Sequence, residues 1–136
     1  MPTGYIGEMS EEYPAQYLEG VRLFNAEEFF ESHEVLEELW TETHDLRRKF
    51  YQGLIQAAVS LLHFGNGNLG GAKKVYLSSR KYLEAYRPEF EGLNVERFLD
   101  DMQFCYQELV DDQQSYPAGI NLHDDRVPKI HLSAAE

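Results

Sequence analysis

The chain has 136 residues, of which 43% are hydrophobic and 13% are aromatic, so we expect one globular domain and exclude a disordered chain. Its formal net charge is −12, which argues against a nucleic-acid partner, because binding to phosphates depends on lysine and arginine. The single cysteine, Cys105, excludes an internal disulfide and favours the cytoplasm. We see no secretory signal, and the longest uncharged run, residues 50–72, contains glutamine and histidine and predicts a buried helix rather than a membrane span.

Five helices are predicted in chain order. They cover about residues 14–24, 26–42, 46–64, 69–86 and 95–111. Asn25, Asn68 and Asn94 stand where N-caps of the second, fourth and fifth helices are needed, and Glu28 follows Asn25 as in a capping box. The connections are short, so consecutive helices should pack antiparallel.

The predicted fold class is therefore all-α, a compact bundle of about five helices. We divide the chain into an N-terminal extension (1–13), the helical bundle domain (14–112) and an irregular C-terminal tail (113–136). The tail is expected to lie across the bundle through Ile130 and Leu132.

The second helix carries polar side chains within its apolar arc. With Phe29 at zero and about 100° per residue, Trp40 falls at about 20° and Phe30 at about 100°. On the same geometry, His33 at about 40° and Glu37 at about 80° lie between them. We therefore predict that Glu37 points toward protein, while a larger set of acids forms the solvated face of this helix. That set is Glu27, Glu31, Glu34, Glu38 and Glu42.

The third helix carries a narrow polar stripe. With Phe50 at zero, the stripe runs from Gln52 at about 200° through His63 at about 220° to Gln56 at about 240°. A buried helix keeps such a stripe only where it meets hydrogen-bonding partners. We therefore predict that the stripe faces His33 and Glu37, and these five residues are called the polar cluster. The residues predicted to flank it are Phe30, Glu34, Trp40, Arg47 and Arg48, the two arginines being candidates to compensate Glu37.

The polar cluster leaves several functions open, and the sequence does not decide whether the protein is an enzyme. It could be a structural network that fixes helix register, or a pocket for a small ligand of unknown identity. A metal-dependent enzyme using His33, Glu37 and His63 is an alternative, because all three are competent metal ligands. We nevertheless assign no metal or cofactor, since "HEVLE" lacks the second histidine of the zinc-protease signature.

The fourth helix suggests another alternative, a helical protein-interaction module. Its basic residues are Lys73, Lys74, Arg80, Lys81 and Arg87. They could meet an anionic partner or the acidic face of another subunit, which leaves a homo-oligomer open, or they could form a solvated face that balances local acid. Phe104 on the fifth helix falls opposite that helix's apolar arc, under the tail or in a subunit contact.

Two sequence blocks also carry a family resemblance. "GVRLFNAEEFFESHEVLEELW" and "RRKFYQGLIQAAVSLLHFGNGNLGGA" resemble the all-helical family catalogued as domain of unknown function 309, and the likeness extends from about residue 18 to 109. The resemblance implies a soluble, compact helical bundle of the kind found in prokaryotes, with plastid-related relatives, and implies no established activity. The matching positions are Phe24, Asn25, Phe29, His33, Glu34, Glu37, Trp40, Tyr51, Gln52, Gly53, Gln56, His63, Gly67, Asn68 and Ala72.

Overall fold

Five α-helices make up most of residues 13–133, so the predicted all-α fold class is confirmed. The structure, a computed structural model, describes residues 13–133; residues 1–12 of the predicted extension and 134–136 of the predicted tail lie outside that range. The helices are α1 (Ala15–Asn25), α2 (Phe29–Glu42), α3 (Arg47–Gly65), α4 (Leu69–Glu84) and α5 (Val95–Asp111). No helix within residues 13–133 is long and apolar enough to cross a membrane.

Two of the three predicted asparagine N-caps are confirmed. Asn68 Oδ1 accepts a hydrogen bond from the Gly71 amide at 3.1 Å, and Asn94 Oδ1 accepts one from the Arg97 amide at 3.0 Å. The predicted N-cap at Asn25 is wrong. Asn25 is the last residue of α1, and α2 begins three residues after Ala26 without a side-chain cap.

Close backbone approaches join the helices in two pairs. Ser32 Oγ of α2 donates to the Gly20 carbonyl of α1 at 2.8 Å, and Ser79 Oγ of α4 donates to the Gly53 carbonyl of α3 at 2.7 Å. A Cβ at Gly53 would lie 2.7 Å from the side chain of Leu83. Only glycine therefore allows α3 and α4 to pack at this distance.

A short hairpin, which the sequence did not predict, connects α4 to α5. Strands β1 (Glu89–Phe90) and β2 (Leu93–Asn94) pair antiparallel, with Glu89 opposite Asn94. The turn places Gly92 at φ 76°, a conformation that glycine adopts without strain. The Phe90 ring lies 4.9 Å from that of Phe50, so the hairpin closes one end of the helical core.

The C-terminal segment, residues 113–133, lies across the bundle, as predicted for Ile130 and Leu132. Ile130 is buried in the core, and Leu132 packs against it. Asn25 fixes the segment through two hydrogen bonds, accepting from the Ile130 amide at 2.7 Å and donating to the Ile130 carbonyl at 2.8 Å. A 3₁₀ turn, Asp124–Arg126, precedes this anchor and leads the chain toward α5.

Candidate functional site

Glu37 does not point toward protein, so the prediction made for it is wrong. Its side chain is 57% exposed, and its Oε1 lies 4.0 Å from His33 Nε2. His33 itself is half-buried, with Nδ1 3.1 Å from the Phe30 carbonyl. Phe30, the residue that bounded the predicted apolar arc, is 48% exposed, while Phe29 is buried. The arc is therefore centred nearer Phe29, which leaves Glu37 on the surface with Glu34.

The glutamine and histidine stripe of α3 is not joined to α2 by hydrogen bonds within residues 13–133. Gln52, Gln56 and His63 are half-buried, and His63 Nδ1 lies 3.5 Å from Asn68 Nδ2. The Oε1 atom of Gln56 is buried and has no hydrogen-bond partner among the described residues. The buried face of α3 is formed by other residues, such as Phe50 and Leu61.

The two flanking arginines contact residues other than Glu37. Arg47 forms a close ion pair with Asp45, with 2.9 Å between Nη2 and Oδ2. Arg48 lies over the Trp40 ring, 3.8 Å from its centroid, and donates to the Trp40 carbonyl. Neither arginine therefore compensates Glu37, which needs no buried partner because it is exposed.

The described residues do not gather a metal-ligand set. Between residues 13 and 133, no three His, Cys, Asp or Glu side chains lie together in a way that could hold a metal ion. The set proposed from the sequence, His33, Glu37 and His63, is therefore not assembled. Cys105 offers no alternative nucleophile, since burial raises the pKa of its thiol to about 12.

A second feature is a cleft between α5 and the C-terminal segment. We call it the tail cleft, and its volume is about 500 Å³. Such a volume falls in the range of small-molecule sites. Its lining residues are Leu93, Asn94, Arg97, Phe98, Asp101, Phe104, Asp125, Arg126, Val127, Pro128, Lys129 and His131.

The tail cleft combines an apolar floor with a charged rim. Leu93, Phe98 and Val127 are buried and belong to the core. The rim carries three cations, Arg97, Arg126 and Lys129, against the two carboxylates of Asp101 and Asp125. The lining therefore has a formal charge of +1 with histidine neutral, whereas the whole chain has −12.

The cations differ in how firmly they are held. Lys129 Nζ donates to the Asn25 carbonyl at 2.8 Å and to Glu27 Oε2 at 3.1 Å. Arg126 lies 3.5 Å from Glu108, and its guanidinium carbon is 5.0 Å from the Phe104 ring centroid. Arg97 is 77% exposed, and its ion pair with Asp101 is long, at 3.8 Å. It is therefore the cation that a ligand can most easily draw away from its present partner.

The tail cleft was not predicted from the sequence, although one of its residues stood out there. Phe104, predicted to lie under the tail or in a subunit contact, is 58% exposed beside Arg126. The other lining residues come from segments that are far apart in the chain, such as Leu93 and Lys129. No local motif joins them, and only the folded position of the C-terminal segment does.

A cluster of buried tyrosines holds the hairpin beside α1 and α3. Tyr17 donates to the Glu91 carbonyl at 2.9 Å, and Tyr51 donates to Glu91 Oε2 at 3.1 Å. Burial raises the pKa of both phenols, and the charge of Glu91 raises it further. The phenols therefore stay protonated as hydrogen-bond donors, which is a structural role.

Comparison with known proteins gives a family match in the N-terminal part of the chain. Residues 17–75 match the family described as Domain of unknown function (DUF309). The predicted family resemblance is confirmed. The match includes most of α1, all of α2 and α3 and the predicted polar cluster, and it ends before the residues of the tail cleft.

One relative extends the comparison beyond the family match. It is "Uncharacterized protein YpuF" of Bacillus subtilis (strain 168), 37% identical over 101 residues. The alignment covers 71% of this chain and 58% of the relative, so the chain spans little more than half of that protein's length. No solved structure gives a significant match.

Proposed function

We propose that the protein is a cytoplasmic binding protein whose ligand is a small organic anion, held in the tail cleft. One observation carries this proposal: a cleft of about 500 Å³ has both a buried apolar floor and three cations. Ligand sites typically combine a mainly apolar wall with a few polar groups that fix orientation.

The charges support an anionic ligand group. Arg97 is largely exposed and lies 3.8 Å from Asp101, so a carboxylate, sulfonate or phosphate could replace Asp101 as its partner. Arg126 stands at the other side of the cleft and already carries a carboxylate contact. A ligand anion between these two guanidinium groups would make charge-assisted hydrogen bonds, each worth about 1.5–3 kcal/mol.

The apolar surfaces support a ligand that also carries a ring or an alkyl chain. Phe104 presents an exposed ring at the edge of the cleft, and Phe98 and Leu93 form part of its floor. Burying an aromatic ring against such surfaces removes apolar area from water, at roughly 25 cal/mol per Å². The proposed ligand is therefore amphipathic.

Charge and cysteine content support the proposed partner classes and location. A net charge of −12 supports a protein without a nucleic-acid partner, because phosphates are repelled at long range. The one cysteine, Cys105, is a buried free thiol, which supports a reducing compartment such as the cytoplasm.

Fluorescence titration with 8-anilinonaphthalene-1-sulfonate, an aromatic sulfonate, tests the proposal. We expect saturable binding at one site, weakened about tenfold by Arg97→Gln, which removes one charge-assisted contact. Phe104→Ala should weaken binding by a smaller factor, because it removes only an apolar contact.

The control is Arg22→Gln, which removes another exposed arginine, on α1 and outside the cleft. We expect this variant to bind the probe like the wild type. Equal loss of affinity in Arg22→Gln and Arg97→Gln would reject the tail cleft as the site, as would unchanged affinity in Arg97→Gln. Circular dichroism of each variant verifies that the fold is retained.

A further inference from the structure

We propose that α2, α3 and α4 form a self-complementary face through which two copies of the chain pair, with α2 of each copy against α4 of the other. The face does not include the tail cleft, so this inference does not depend on the proposed ligand. The supporting observation is that exposed charges without an ion pair within residues 13–133 are acidic on α2 and basic on α4 and the start of α3.

α2, α3 and α4 are called the layer, with α3 in the middle. α3 packs against both α2 and α4, and these two helices make little or no contact with each other. The second close contact of α2 is with α1, and that of α4 is with α5. The outer surface of the layer therefore has α2 as one flank and α4 as the other.

The α2 flank is acidic. Besides Glu37, which lies beside His33, its exposed carboxylates are Glu31, Glu34, Glu38 and Glu42. None of these four forms an ion pair within residues 13–133. Four like charges on one helix face repel one another, and no cation of residues 13–133 forms an ion pair that would relieve this repulsion.

The α4 flank is basic. Lys74 and Lys81 of α4 and Lys49 of α3 are exposed, and none of them forms an ion pair within the described part of the chain. A groove of about 450 Å³ runs between these helices. Its lining residues are Lys49, Ser78, Lys81, Tyr82, Ala85 and Tyr86.

A two-fold axis parallel to the helices brings flanks of opposite charge together. Such an axis, placed at α3, brings α2 of one copy opposite α4 of the other and repeats the contact on the other side. The charges also match along the axis. Glu42 lies at the end of the layer where α3 begins, near Lys49 and Lys81, and Glu31 lies at the opposite end, near Lys74.

The size of the face is sufficient for a weak, reversible dimer. The helices of the layer contain 14, 19 and 16 residues, so at about 1.5 Å per residue they are roughly 21 to 28 Å long. Three helices about 9 Å apart then present roughly 600–700 Å² per copy. This is close to the approximately 800 Å² per partner of stable complexes.

Sedimentation velocity of the full chain at roughly 200 µM tests the inference, because a weak dimer with a dissociation constant on the order of 10 µM is mostly formed at that concentration. We expect a dimer at roughly 50 mM salt that weakens at roughly 500 mM salt, since screening reduces attraction between surface charges. A chain that stays monomeric at the low salt concentration would overturn the inference.

Charge reversal identifies the face. Lys74→Glu with Lys81→Glu makes both flanks acidic, and Glu34→Lys with Glu38→Lys makes both flanks basic, so each double variant alone should dimerise at least about tenfold more weakly. An equimolar mixture of the two should form a heterodimer of nearly wild-type affinity, because both flank contacts are again between opposite charges.

The matched controls reverse two exposed charges away from the layer, Arg22→Glu with Arg97→Glu and Glu96→Lys with Asp100→Lys. We expect these controls to dimerise like the wild type. A dimer that is unaffected by reversal on α2 and α4, or a mixture of the two double variants that stays monomeric, would overturn the proposed pairing.

Discussion

At the scale of single residues, Asn25 shows the largest difference between its predicted role and its observed role. Its position before "AEE" predicted an N-cap, yet its side chain bridges the amide and the carbonyl of Ile130, 105 residues further along the chain. The local rule failed because α1 continues through Asn25, which leaves the side-chain amide free for a distant partner. Asn25 therefore positions the C-terminal segment that forms one wall of the tail cleft.

We predict that Asn25→Ala lowers the free energy of unfolding by about 1–3 kcal/mol, because it leaves the part-buried amide and carbonyl of Ile130 without their partner. Urea denaturation followed by circular dichroism measures this change. The control is Asn121→Ala, at an exposed position of the same segment, which should change stability by less than about 0.5 kcal/mol. Equal stability of the two variants would show that Asn25 does not anchor the segment.

Glu37 shows why the inward face of a helix is difficult to assign from one sequence. Adjacent phenylalanines, Phe29 and Phe30, differ by about 100° around the axis, and either can mark the centre of the buried arc. If the buried arc includes both phenylalanines, Glu37 lies inside it. If the arc is centred near Phe29, Glu37 lies outside it. Packing of Phe29 against Phe24, with ring centroids 5.3 Å apart, decides the matter, and the sequence of α2 alone does not contain this contact.

At the scale of elements, the same Gly–Ser–Leu contact joins both helix pairs. Ser32 and Leu36 of α2 meet Gly20 of α1, and in α4 a serine and a leucine with the same spacing meet Gly53 of α3. In each pair the serine hydroxyl donates to the glycine carbonyl, and the leucine fills the space that a Cβ would need.

We predict that Gly53→Ala destabilises the protein by about 1–3 kcal/mol, because the new methyl group would overlap with Leu83 and force α3 and α4 apart. Thermal and urea unfolding measure the effect. Gly70→Ala is the matched control in the first turn of α4, where a Cβ meets no atom within 4 Å, and it should be neutral or stabilising. A neutral Gly53→Ala would contradict the close packing described for these helices.

Element boundaries were predictable because their signals are local. The caps at Asn68 and Asn94 lie within three residues of the amides that they bind, and the periodicity of each helix is contained in its own sequence. The hairpin was missed because each strand has two residues, which is too short for alternation to be visible. The tail cleft was missed because its walls meet only after the C-terminal segment has folded back onto α5.

At the scale of the whole molecule, the core is rich in buried tyrosine, which gives stability a defined dependence on pH. Burial raises the pKa of Tyr17, Tyr51 and Tyr106. A phenol in the unfolded chain ionises near pH 10, whereas these phenols stay protonated in the folded protein to higher pH. Above about pH 10 the folded state therefore binds more protons than the unfolded state.

We predict that the free energy of unfolding is insensitive to these tyrosines below about pH 9 and then falls, by up to about 1.4 kcal/mol per pH unit for each buried tyrosine. Urea denaturation between about pH 8 and pH 11 measures the slope. Tyr106→Phe should make the slope less steep, and Tyr116→Phe, at a residue that is 89% exposed, should not. Equal slopes in both variants would argue against ionisation of Tyr106 as a cause.

The central claim is that the tail cleft binds a small organic anion, and one measurement tests it directly. Two-dimensional ¹H–¹⁵N nuclear magnetic resonance spectra of the full chain, recorded during titration with 8-anilinonaphthalene-1-sulfonate, report which backbone amides sense the probe. We predict saturable shifts concentrated at the amides of Asn94, Arg97, Phe104 and Arg126, which line the cleft. Shifts confined to the groove around Lys49 and Lys81, or no saturable shifts at all, would contradict the claim.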